Sequence, residues 1–75
     1  MNKKYIWVLN TDRLYPTDFY CESIESLFTL VLDIALKHFG ITGMLNLEYR
    51  SISETELQWA YFDVYIFTAT KHELH

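Results

Sequence analysis

Seventy-five residues suit a single domain, and a chain of that length buries only roughly 60–65% of the surface its unfolded form exposes, so its core is small. Yet 51% of the residues are hydrophobic and 17% aromatic, more than so little interior hides, and some apolar surface is expected outside. The formal net charge is −4, and beyond residue 15 the chain holds nine acids against three bases, which repels phosphate backbones and argues against nonspecific nucleic-acid binding through Lys and Arg.

Cys21 is the only cysteine, so no internal disulfide forms and a cytoplasmic location is expected. The basic opening Met1-Asn2-Lys3-Lys4 leads into an apolar run, Tyr5 to Leu9, that is too short for a signal-peptide core. No segment approaches the ~20 apolar residues of a bilayer span, and no membrane partner is expected.

In chain order, Tyr5-Ile6-Trp7-Val8-Leu9 is dense in β-branched and aromatic residues and stops at Asn10-Thr11-Asp12, which predicts a first strand. Asp12 to Asp18, with the single proline Pro16, reads as a loop or hairpin turn, and Phe19-Tyr20-Cys21-Glu22 as a second, shorter strand. Ser23 offers an N-cap oxygen, Glu25 sits in the first turn and Gly40 supplies a left-handed stop, so a helix is predicted from about Ile24 to Phe39. Ile24, Leu27, Phe28, Val31, Ala35 and Phe39 share one face, which Leu30, Leu32, Ile34 and Leu36 widen to both sides. Only Ser26, Thr29, Asp33 and Lys37 form a polar stripe. An apolar arc of roughly two-thirds of the circumference is wider than one sheet requires. Either a second chain or partner touches one flank, or the loops around Tyr15 and Phe19 fold over it.

After Ile41-Thr42-Gly43, Met44 to Ser51 alternates apolar and polar residues, which predicts a half-buried strand. Ser53-Glu54-Thr55-Glu56 reads as a polar turn, Leu57 to Thr68 as one long strand, and Lys71 to His75 as a frayed tail. There is no internal repeat, low-complexity tract or linker. The expected fold is therefore α+β: a single helix on a three- to four-stranded, mainly antiparallel sheet in the order β(β)αββ, one compact domain over residues 1–75.

A single helix covers one sheet face. With Ile6, Val8, Ala60, Phe62, Val64 and Ile66 turned toward it, Tyr5, Trp7, Trp59, Tyr61, Tyr65 and Phe67 would build an uncovered aromatic face. Aromatics of that kind mark protein interfaces, and a homodimer that completes its core through the face is the alternative. A third reading has loop 10–18 folded over it. Base stacking on the same platform would make a single-strand nucleic-acid binder, a weaker alternative because Leu57 to Thr70 offers no Lys or Arg.

Little in the chain suggests chemistry. His72 and His75 are three apart rather than four, in a terminal segment, and no metal is expected. Nothing brings Cys21 to His38, the acids do not converge, and Gly40 and Gly43 form no phosphate loop, so a non-enzymatic chain without cofactor is expected. The acids Asp18, Glu22, Glu25, Glu54 and Glu56 either keep an aromatic-rich domain soluble or mimic nucleic-acid phosphates toward a basic groove.

The strand Tyr5 to Leu9, the run Cys21-Glu22-Ser23-Ile24-Glu25-Ser26 into the helix and the hairpin Met44 to Phe67 give a layout that, with the size and acidity, resembles small phage-encoded inhibitors. That class includes anti-CRISPR proteins and inhibitors of host RNA polymerase. The resemblance implies a stoichiometric blocker of a larger bacterial protein or nucleoprotein complex, acting in the host cytoplasm. It includes no motif from which functional residues transfer.

Overall fold

The computed structural model describes residues 4–62 and 64–74, without the side chain of Tyr65. Among them, five strands and one helix run in the order β1 (Lys4–Asn10), β2 (Phe19–Cys21), α1 (Ile24–Leu45), β3 (Glu48–Ser53), β4 (Glu56–Tyr61) and β5 (Val64–Leu74). The strands pair antiparallel throughout, in the spatial order β2-β1-β5-β4-β3, and α1 packs on one face of the sheet, an α+β fold.

The β1–β2 connection is built by short-range hydrogen bonds. The Asn10 carboxamide accepts from the Asp12 N–H at 3.0 Å and donates to Asp18 at 3.0 Å, which stabilises Asp12 in a left-handed backbone at φ 55. Buried Thr11 turns its hydroxyl to accept from the Tyr15 N–H at 3.2 Å. Tyr15 then lies edge-on to Phe19 and to His38 of α1, and its hydroxyl is 3.0 Å from His38 Nε2. Leu14, Tyr15 and Phe19 thus pack against the core along one flank of the helix, as one of the two sequence readings had it. The opposite flank, with Leu32 and Leu36, stays exposed.

The helix starts as expected, with the Ser23 hydroxyl accepting from the Ser26 N–H at 3.1 Å. At Gly40 it breaks, with φ 74 and ψ −177, a conformation open essentially to glycine alone. The chain does not enter a strand there. It resumes a short helical segment, Ile41 to Leu45, whose last turn is closed by Asn46 donating from its side chain to the Thr42 carbonyl at 2.8 Å. Met44 and Leu45, expected in a strand, are therefore helical, and Met44 and Leu47 pack against the core before β3 begins at Glu48. By length and composition alone α1 also qualifies as a membrane span, with an 18-residue window of mean hydropathy 1.4, contrary to the sequence expectation. Leu27, Val31, Ile34 and Ala35 are buried against the sheet, and 28% of that window is buried in all.

The predicted long strand is a hairpin. Phe62, at φ 51, turns the chain after Tyr61, and β5 returns so that Trp59 lies opposite Phe67 and Leu57 opposite Ala69. The predicted frayed tail is likewise the end of β5: Lys71 to Leu74 pair with Trp7 to Lys4, and Lys71 places its ammonium 4.4 Å from the Tyr5 ring centroid. His75 lies outside the described residues.

Two glycine substitutions separate backbone from packing. No heavy atom lies within 4 Å of a Cβ built on Gly40, so Gly40→Ala should cost about 1–3 kcal/mol through its dihedrals alone. A Cβ on Gly43 would overlap the Phe39 side chain and meet Tyr61 at 3.6 Å, so Gly43→Ala should cost about 1–3 kcal/mol through overpacking. Urea midpoints check both, and a loss below about 0.5 kcal/mol in either variant would contradict the local geometry described.

Candidate protein-binding surface

Antiparallel partners share a sheet face, so the register fixes which side chains meet the helix. Trp7 opposes Cys21 and Lys71, Leu9 opposes Ala69, Leu57 opposes Ala69 and Trp59 opposes Phe67. These residues, Lys71 excepted, form the buried core with Leu27, Val31, Ile34 and Ala35 of α1. The other face carries Ile6 opposite His72, Val8 opposite Thr70 and Tyr20, and Gln58 opposite Thr68 and Arg50.

One sheet face is uncovered, then, but it is not the aromatic one. Trp7 is 6% exposed, Trp59 3% and Phe67 0%, so these three belong to the core and not to a free surface. The physical reason is size: one helix seated on a five-stranded sheet leaves a gap that long aromatic side chains fill and that Ile6 and Val8 do not. Of the remaining members of that expected set, Tyr5 is exposed beneath the Lys71 ammonium, Tyr61 is half-buried against Phe39, and the side chain of Tyr65 lies outside the described residues.

The acids expected to act together are placed apart. Asp18, Glu22 and Glu25 flank β2 and the helix start, whereas Glu54 lies in the β3–β4 turn and Glu56 opens β4. The register puts Glu56 in one row with Thr70, Val8 and Tyr20, about three strand spacings, or ~14 Å, from β2.

Apolar surface gathers instead where α1 overhangs β3 and β4. Phe28 lies edge-on to both Tyr49 and Trp59, with centroids 5.2 and 5.5 Å apart, and Phe39 stacks on Tyr61 at 5.1 Å. Between these anchors, at helical spacing, Leu32 and Leu36 protrude 45% and 43% exposed. The ridge Phe28, Leu32, Leu36, Phe39 continues past the Gly40 break, where Gly43 seats the short segment on Phe39 and Tyr61 and leaves Ile41 and Leu45 outside. Phe62 completes the column: its ring is 4.5 Å from that of Tyr61, and it is 75% exposed. A bulky residue held in the left-handed region while giving its ring to solvent is costly in two ways at once.

Chemistry has less support. The Cys21 thiol is buried opposite Trp7, and desolvation pushes its pKa up, which makes it a poor nucleophile; His38 is engaged by Tyr15. Among the described residues no group of three or more His, Cys, Asp or Glu is placed to hold a metal. A hollow of about 340 Å³, lined by Tyr5, Trp7, Glu22, Ser23, Ile24 and Lys71, is an open depression.

No protein-family model matches the chain, and no curated protein or solved structure matches it.

Sequence analysis marks the helix flank but reads through Phe62 as strand, since Asp63 is the one turn-forming residue beside it and neither Gly nor Pro stands near. The burial assignments have a direct consequence. Trp59→Ala should destabilise by about 3–5 kcal/mol, whereas Leu36→Ser should stay within about 1 kcal/mol, both read from denaturant midpoints. A Trp59→Ala chain as stable as the parent would return Trp59 to the surface.

Proposed function

We propose that this protein is a non-enzymatic binding module that docks another protein along the ridge Phe28, Leu32, Leu36 and Phe39 and the hairpin tip at Phe62. The observation that carries the reading is Phe62, exposed on a left-handed backbone with its ring against Tyr61, which in turn stacks on Phe39. Strained residues persist where the surroundings over-determine them, and they concentrate at binding and catalytic sites. Aromatic anchors next to aliphatic side chains are the usual centre of a protein interface. The net charge of −4 favours a partner whose rim is basic around an apolar groove.

The likeness in size, acidity and layout to small phage-encoded inhibitors supports a narrower form, in which the partner belongs to a larger bacterial complex that the bound module blocks. That form needs no chemistry from this chain and rests on the likeness alone.

The test uses the immobilised chain to capture partners from bacterial extract. Leu32→Asp with Leu36→Asp should abolish capture of any specific partner, and Phe62→Gly should weaken it about tenfold or more while leaving the folding midpoint unchanged or raised, because glycine removes the backbone strain. Thr70→Lys, on the open sheet face, should capture as the parent does. Capture that is equal in all three variants, or lost only with Thr70→Lys, would sink the proposal.

A further inference from the structure

The sheet has two unequal edges. β2 is three residues long, whereas β3 spans six, every one exposed, and contains neither the proline nor the lysine by which edges commonly avoid pairing. Its one irregularity is the bulge between Ser51 and Ser53. That bulge confines a straight, open edge to Glu48 through Ser51.

A second copy is the occupant whose pairing this edge encodes. When two identical strands pair antiparallel about a two-fold axis perpendicular to the sheet, opposed residues share a face, and the axis passes through one residue position. Centred on Glu48, the pairing opposes Glu to Glu. Centred on Arg50, it opposes Arg to Arg. Centred on Tyr49, each Glu48 lies opposite the partner copy's Arg50, twice, on the open face. The two residues already share that face within one chain, 3.4 Å apart, and both are largely exposed. On the helix side the two Tyr49 rings meet, each against its own Phe28.

We infer that β3 pairs with the β3 of a second copy, centred on Tyr49, to give a continuous ten-stranded sheet with both helices on the same side. This goes beyond the docking reading and stands without it, since the pairing is made by the β3 main chain and does not involve Phe62; Phe28 packs on Tyr49, so the docking ridge adjoins the dimer seam. An edge this short makes a weak contact, so the dimer depends on concentration and on ionic strength.

Sedimentation across a wide concentration range at low salt tests it with two variants. Opposed charges across strands favour pairing and like charges disfavour it, so Glu48→Arg alone, doubly basic on that face, and Arg50→Glu alone, doubly acidic, should each weaken self-association about tenfold or more. An equimolar mixture of the two variants should restore a dimer, now a heterodimer, which no interaction within one chain can produce. Circular dichroism verifies that both variants remain folded. A parent chain that is monomeric at all concentrations, single variants that dimerise as the parent does, or a mixture that stays monomeric would each overturn the inference. Phe62→Gly, altered only at the hairpin tip, should dimerise normally, which keeps this result distinct from loss of partner capture.

Discussion

Trp7, Trp59 and Phe67 occupy the space between one helix and a five-stranded sheet, and the rest of the molecule is arranged around that layer. A chain of 75 residues has few side chains with which to fill such a gap, and aromatic residues bury the most area at each position. Because Trp59 and Phe67 must both reach α1, the segment from Leu57 onward folds into a hairpin whose opposed positions carry them, and the turn falls where Phe62 takes a left-handed backbone. Leu9 and Ala69 continue the layer across the middle strands, and Leu27, Val31, Ile34 and Ala35 close it from above.

A single helix covers that layer but cannot cover its sides. On one side the loop from Thr11 to Phe19 closes the flank, held by the Thr11 hydroxyl and by Tyr15 against His38. On the other side no loop is present among the described residues, and the apolar arc of the helix continues outward through Leu32 and Leu36, over an edge strand exposed along its whole length. Surplus hydrophobicity in the composition therefore has an address. Much of it lies on the β3 side and at the hairpin tip; the uncovered sheet face adds exposed Tyr20 and Leu74, but there Thr68, Thr70, Gln58 and His72 dilute Ile6 and Val8.

The α+β class, the helix start at Ser23, the first strand and the short second one were legible because each depends on local chemistry: a cap, a β-branched run, a polar boundary. The Gly40 break was legible for the same reason. The helical segment beyond it was not, since that segment depends on Gly43 seating against Phe39 and Tyr61. Strand faces were not legible either. In β1 both alternating sets, Ile6 with Val8 and Tyr5 with Trp7 and Leu9, are apolar, so periodicity could not choose between them; tertiary packing chose the larger. The β4–β5 hairpin escaped because its turn has neither Gly nor Pro, and the end of β5 escaped because Lys71 to Leu74 look polar but are paired by β1. Of the candidate surface, the exposed helix flank could be read from the width of the apolar arc. The projecting Phe62 could not, because its importance lies in a backbone angle.

The assignment of both tryptophans to the core is open to one direct measurement: their emission and acrylamide quenching in the folded chain, at a concentration where sedimentation shows a monomer. With Trp7 and Trp59 buried, emission should be blue-shifted from that of the urea-unfolded chain and quenching should be weak for both. Emission at the unfolded position, or ready quenching of either tryptophan while circular dichroism shows a folded chain, would contradict the buried aromatic layer and return the exposed aromatic face to consideration.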